Sequence, residues 1–382
     1  INSRLGLNLN AGEISQLLAN VEISVDADGE LNAQPPFWRT DIEIPEDIVE
    51  EIGRLYGFDK LPRELPKRSI KPAEQNQLMS LKTVIRQRLS RAGANEVLTY
   101  SFVHGGLIEK SGQDRGHAFE LSNALSPDLQ YYRLSLVPSL LAKVHMNIKA
   151  GYDKFALFEL GKAHIAGMND DEGLPREDDL TALVVTAADK LRLDDAPYYL
   201  AKRYLEDLIG VSVDYRPIPA EFDQFDIVKP YQSDRSAAIY VDDKFLGLIG
   251  EFKPAVRRAL KLPNYTAGFE LDTGALLGVL GDINYQPLPK FPGTWRDLTL
   301  QVGQETNYAD IARLIDKTLA SSQLLTKFEL IDIYQADGSD TKNLTFRLHL
   351  TDSDRTITAE VANQLLDQIA DQAKSRLRAE II

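Results

Sequence analysis

The spacing of apolar positions changes along the chain, and the changes divide it. Between Glu46 and about Tyr56, apolar Ile48, Ile52, Leu55 and Tyr56 recur at i, i+4, i+7 and i+8, which predicts an amphipathic helix. Pro45 suits its first turn, where a missing N–H costs nothing. Upstream, Glu13 to Leu18 suggests a short helix, and VEISVDADGELN (21–32) a hairpin with Asp28-Gly29 in the turn. The Pro-rich stretch from Leu61 to Pro72 closes this first segment.

Beyond it, Leu78, Leu81, Val84, Ile85 and Leu89 give a long amphipathic helix ended by Gly93, followed by an apolar strand around 97–102. Strands are expected at 154–165, 180–187 and in two arms within 236–252, with helices at 135–149 and 197–210, so a mostly antiparallel sheet with helices against it fits best. From Pro287 the order is strand, helix (307–319), strand (325–335), strand (343–351) and helix (358–376), which suits a ferredoxin-like sandwich with an open sheet face. Alternation there sends Leu298, Leu300, Val302, Leu344, Phe346, Leu348 and Leu350 inward and leaves Thr299, Gln301, Thr345, Arg347 and His349 on the open face. The expected fold class is α+β and multidomain, divided at 1–68, 69–284 and 285–382.

Composition narrows the function. A chain of 382 residues can bury two or three cores, and 43% hydrophobic with 26% charged residues is ordinary for globular protein. Cysteine is absent, which removes disulfides, thiolate metal sites and a cysteine nucleophile and agrees with a cytoplasmic, reducing setting. No apolar run approaches the ~18 residues of a membrane helix and no signal peptide is visible, so no membrane role is expected. The first residue is Ile, which suggests a piece of a longer protein. A net charge of −14 argues against general attraction for nucleic acid, so RNA contact must be local. Lys60 to Lys71 gathers five basic residues with one acid and two prolines, and reads first as a solvated linker.

The densest candidate chemistry lies on the acidic helix. Asp47, Glu50 and Glu51 stand at i, i+3 and i+4, where like charges repel, and Asp41 lies on the extended approach. A hard cation such as Mg²⁺ or Ca²⁺ would relieve that repulsion. On spacing alone the commoner reading is an acidic first turn complementing the helix dipole, with Arg39 and Arg54 as ion-pair partners. Elsewhere no GxGxxG, GxxxxGK[ST] or GxSxG pattern occurs. His104, His117, His145, His164 and His349 are scattered singly. Arg133, Ser135 and Asn147 read as a substrate clamp or, equally, as a capped helix entry.

Arg39-x-Asp41, Asp47, Glu50-Glu51, Arg54, Tyr56-Gly57 and Pro62 resemble the metal-binding helical module of the bacterial phenylalanyl-tRNA synthetase β subunit. Gly93 to Phe102, Asn123, Ser126, Arg133, Ser135-Leu136, Pro138, Asn147, Phe158-Glu159, Gly161 and Gly247 to Pro254 resemble that subunit's catalytic-like module of class II synthetase type. Lys290, Phe291-Pro292, Arg296-Asp297, Asp332, Tyr334 and Arg378 resemble its ferredoxin-fold anticodon-binding domain. Departures are Ala124 where the family favours Pro, Leu134 where it favours Thr, and Ile331 where Phe is frequent.

The resemblance implies that Asp41, Asp47, Glu50 and Glu51 bind Mg²⁺ at a site shared with an α subunit. It also implies an α2β2 heterotetramer, whose α subunit binds ATP and attaches phenylalanine to tRNA, and an anticodon contact at 285–382; on the open face given by alternation, Arg347 and His349 are the RNA-binding candidates. ATP chemistry is not expected in this chain, because no arginine stands two residues before Glu159. The third segment holds eleven Lys/Arg against fourteen Asp/Glu, so charge alone would favour a plain structural fold. The family's N-terminal tRNA-binding and editing modules are missing here. The rival is a non-enzymatic scaffold or RNA-binding module without a synthetase partner.

Overall fold

A computed structural model describes all residues except 27–30, 64, 66, 67, 194, 282–287 and 323, and separates into two compact units, Ile1–Glu74 and Gln75–Ile382. The Asp28-Gly29 turn, the 284/285 boundary and part of the basic stretch 60–71 lie outside the described residues.

The first unit contains α1 (Asn2–Leu5), α2 (Ala11–Ala19), the paired short strands β1 (Ser24–Asp26) and β2 (Asn32–Gln34), and α3 (Pro45–Tyr56). A capping box starts α2: Asn10 accepts from the Glu13 N–H while Glu13 accepts from the Asn10 N–H. Ile14 and Leu18 of α2 pack with Ile23 and Ile52 in a small core. Pro45 stands at the start of α3, as its fixed φ favours.

The second unit opens with α4 (Gln77–Arg91), β3 (Asn95–Glu96), β4 (Phe102–Val103), α5 (Gly105–Lys110), β5 (Tyr131–Tyr132) and α6 (Val137–Lys149). It continues with β6 (Lys154–Ala163), β7 (Asp178–Ala187), α7 (Pro197–Ile209), β8 (Asp214–Arg216), β9 (Tyr231–Val241), β10 (Lys244–Phe252), α8 (Pro254–Leu260) and β11 (Tyr265–Asp272). Seven of these strands form one sheet in the order β3-β6-β7-β11-β10-β9-β8, antiparallel except where β3 runs parallel to β6.

Both faces of that sheet are covered. Ile85 and Leu89 of α4 with Ala201, Leu205 and Leu208 of α7 fill one side against Phe158, Leu183, Ile249 and Phe269. Val137, Leu140, Leu141 and Val144 of α6 with Val256 of α8 fill the other against Leu157, Ala182, Val184 and Leu248. The expected strand at 97–102 is only half realised: residues 97–101 between β3 and β4 form no strand, with Leu98 and Tyr100 exposed, and Phe102 pairs with Tyr132.

The chain ends in β12 (Thr294–Gly303), α9 (Tyr308–Leu319), β13 (Leu325–Tyr334), β14 (Thr341–Thr351), α10 (Ala359–Leu377) and β15 (Glu380–Ile381). The sheet order β13-β14-β12-β15, with α9 and α10 packed on one face over Leu298, Leu300, Phe346 and Leu348, is the ferredoxin-like α+β sandwich. The other face is left open, as alternation predicts.

Candidate functional site

The acidic helix α3 places its carboxylates in three different environments. Asp47 turns back to the helix start, where its Oδ2 accepts from the Glu43 and Ile44 N–H groups at 2.8 and 2.9 Å. Those two hydrogen bonds hold its pKa below the usual carboxylate value. Asp41 accepts from Arg39 through both oxygens, at 2.9 and 2.7 Å, and this pairing lowers its pKa to about 2. Glu51 is buried; burial alone would disfavour its charge, but hydrogen bonds from Arg39 at 2.7 Å and from Arg54 outweigh it and lower its pKa. Glu50 is exposed and has no hydrogen bond or ion pair with the described residues.

Arg39 therefore bridges Asp41 and Glu51 with its own positive charge. Both oxygens of Asp41 and of Glu51 are engaged, and Asp47 is committed to the backbone. No group of three or more His, Cys, Asp or Glu among the described residues is arranged to hold a metal ion. In this arrangement the four residues do not fit Mg²⁺, and Arg39 and Arg54 act as the ion-pair partners that the bland reading gives them.

A second polar cluster lies inside the seven-stranded sheet. Glu159 on β6, Ala182 on β7, Glu270 on β11 and Leu248 on β10 form one cross-strand row beneath α6. Arg133, buried, reaches Glu159 at 2.8 Å and also donates to Thr99 Oγ1 and to the Lys162 carbonyl. Thr99 donates in turn to Glu159 Oε2 at 2.7 Å. Gly161 is required beside them, because a Cβ there would collide with the Arg133 guanidinium. Glu270 accepts from the Leu136 and Val137 N–H groups at the start of α6, at 2.5 and 3.4 Å. Burial pushes its pKa up to about 7 against those two hydrogen bonds.

Arg133, Ser135 and Asn147 consequently form no clamp. Arg133 neutralises Glu159, Ser135 accepts from Gln113 at 2.8 Å, and Asn147 donates to the Lys143 carbonyl along α6. The arginine absent from β6 in sequence is supplied from another element, but it is buried and paired with Glu159.

On the open face of the last sheet, Arg347 makes a bidentate pair with Asp297 at 2.8 Å for each bond, and its guanidinium lies 5.1 Å from the centre of the Trp295 ring. This pairing lowers the Asp297 pKa. His349 faces Glu329 at 3.4 Å. Thr299 bonds Thr345 and Gln301 bonds Asn343 across the same face. Trp295 and Tyr334 are 62% and 60% exposed at opposite ends of it.

The three segments match three family models in order. Residues 1–58 match the tRNA synthetase B5 domain, 61–273 the phenylalanyl-tRNA synthetase beta chain CLM domain, and 289–381 the ferredoxin-fold anticodon binding domain. The chain belongs to the phenylalanyl-tRNA synthetase β chain family. Phenylalanine–tRNA ligase beta subunits from Bacillus cereus and Geobacillus kaustophilus are 28% and 29% identical to it, over 100% and 94% of this chain. Those alignments span 48% and 45% of the relatives, so the chain covers about half the length of the curated proteins it matches. The crystal structure of pyrrolysyl-tRNA synthetase from Desulfitobacterium hafniense aligns with 69% of this chain at 15% identity and a TM-score of 0.41, too low to bear on the fold.

Within this family frame, sequence reasoning missed Trp295 and Glu270. Carrying the alternation of β12 two steps back from Asp297 places Trp295 on the open face, so its signal was available. Glu270 had no such signal, since a lone acid in GFELD gives no sign that it will meet a helix start.

Proposed function

We propose that this chain is the part of a phenylalanyl-tRNA synthetase β subunit that supports assembly and holds tRNA, while an α subunit in the same cytoplasmic α2β2 complex performs the ATP-dependent attachment of phenylalanine. Its three modules are those drawn at 1–68, 69–284 and 285–382. The observation that carries this reading is the doubly covered sheet: among the described residues, α6 packs over the face that carries Glu159 and Glu270, where a class II synthetase would need room for ATP. Arg133 is consumed by Glu159, so it has no free charge for a phosphate.

The chemistry that remains is binding. The open face of the last sheet presents polar residues with one exposed aromatic ring near each end, a surface suited to unpaired bases. Mg²⁺ at Asp41, Asp47, Glu50 and Glu51 is proposed for the assembled enzyme alone. The family pattern supports it, and it requires Arg39 to release two carboxylates when the partner arrives.

Expression of the full chain with an α subunit tests the proposal. Equal recovery of the two chains, with pyrophosphate exchange only when both are present, is expected. Exchange by the β chain alone, or failure to co-purify, would refute the division of labour and favour a free-standing scaffold.

A further inference from the structure

Trp295 lines a cavity of about 410 Å³ on the open sheet face, together with Gly293, Thr294, His349 and Thr351. Its indole is 62% exposed, a large aromatic surface open to a ligand. It is also held in place. Arg347 touches the ring at 5.1 Å and is itself locked by its bidentate pair with Asp297, yet does not line the cavity. Trp295 itself lines the cavity. Gly293 keeps that space open: a Cβ there would stand 2.5 Å from Thr351 Oγ1 and 3.0 Å from the Leu350 carbonyl, so the chain approaches β14 too closely for any side chain.

The lining suits a flat heteroaromatic ring. Trp295 offers a stacking surface, while Thr294, Thr351 and His349 offer hydroxyl and imidazole groups to the edge of a ring. The volume exceeds that of a nucleobase and admits one inserted from a loop. A chain of net charge −14 does not favour a site built on phosphate contact, whereas stacking needs no net positive charge. Arg347, with its charge spent on Asp297 and its face on the indole, has little left for a phosphate.

We infer that Trp295 is a base-stacking site for an unpaired RNA nucleotide and that Arg347 is the positioning residue that presents it. This rests on the RNA-binding reading of the open face and goes beyond it by naming the nucleotide pocket, at the opposite end of the face from Tyr334.

The chain has two tryptophans, so Trp38→Phe leaves Trp295 as the sole indole reporter. In that full-length background, hairpin RNA with an unpaired loop, the same hairpin with an abasic loop, and a fully paired duplex are titrated by fluorescence and, separately, by anisotropy of labelled RNA. The unpaired loop is expected to quench Trp295, the abasic loop and duplex are not, and Trp295→Ala should weaken hairpin binding roughly tenfold. Arg347→Ala should reduce the quench without changing the slope of log Kd against log salt, and Arg347→Lys should restore part of it; a lost phosphate contact would instead lower that slope by about one. Hairpin binding by anisotropy with no quench and an unchanged affinity in Trp295→Ala overturns the pocket while RNA binding stands. Equal quenching by hairpin and duplex also overturns it. No RNA binding by any probe overturns the pocket and the RNA reading together.

Discussion

Arg39 illustrates how one residue decides what an acidic cluster can do. Its guanidinium supplies from within the chain positive charge that two of the four carboxylates, Asp41 and Glu51, would otherwise seek from a metal. Arg39→Gln should strip Asp41 and Glu51 of a shared partner and leave their charges opposed, lowering stability at neutral pH. Millimolar Mg²⁺ should raise the Tm of this variant and leave that of the wild-type chain unchanged. A wild-type Tm that rises equally would show that the metal competes successfully with Arg39 in the single chain. Because the folded-state pKa values of Asp41 and Asp47 are depressed, their contribution is present above the ordinary carboxylate range and is lost as pH falls, for Asp41 through about 2.

Glu270 has the opposite sign. Its folded pKa, raised to about 7, means the native state binds more protons than the unfolded state between the unperturbed value of 4.5 and 7. Stability therefore falls as pH rises through that window, by an amount of order 3 kcal/mol if the whole shift is expressed. Glu270→Gln should flatten the pH dependence of denaturant unfolding between 4.5 and 7. A variant whose profile runs parallel to the wild type would show that Glu270 does not titrate there.

Among the elements, those with a strong single period were readable and those held by tertiary contacts were not. The helices α4, α6, α7, α9 and α10 begin and end within about two residues of their expected bounds, since each has one apolar stripe and a cap or helix breaker near its end. The central strand β11 is absent from the expected elements, although it is hydrogen-bonded on both sides to β7 and β10. Gly268 interrupts its apolar run and Glu270 and Asp272 lend it polarity, and the buried acid is met by N–H groups at the start of α6 and by the charge of Arg133. The two-residue β15 is too short for any period.

Long-range capping is invisible in sequence for the same reason. Arg88 on α4 donates to the Leu208 carbonyl at 2.7 Å, near the end of α7, and to the Gly281 carbonyl at 2.6 Å. It thus satisfies the Leu208 carbonyl, which lies in the last turn of α7 and has no partner within that helix, together with a loop carbonyl. Arg88→Met keeps the aliphatic stem and removes these bonds. We expect it to cost roughly 1–3 kcal/mol in urea unfolding, the range for hydrogen bonds to a charged group. A loss no larger than that of an exposed arginine would mean water replaces the guanidinium at no cost.

At the scale of the whole molecule, the sequence motifs marked the three segments and the four carboxylates, but not the state of either. Motifs report which residue types recur, whereas the pairing of Arg39 with Asp41 and Glu51, or of Arg133 with Glu159, depends on where a side chain ends after the chain has folded. The alternation in β12 and β14 gave the open face correctly and placed Arg347 on it. That Arg347 is already engaged by Asp297 follows from the register Asp297 opposite Arg347, which no single strand reveals.

The cover that α6 lays over the sheet also governs what can protect this chain from heat. A small molecule raises a melting temperature only by binding the folded state in preference to the unfolded one. With both faces packed, the sheet offers ATP and phenylalanine no such foothold, so saturating amounts of either should leave the Tm of the isolated chain where it was. A binding subunit, by contrast, should raise it in a concentration-dependent way. Scanning fluorimetry across an ATP series and an α-subunit series separates the two, and a rise with ATP alone would mean that α6 lifts. If ATP leaves the Tm unchanged and the proposed partner raises it, the thermal endurance of this chain follows the supply of that partner and is indifferent to the supply of substrate.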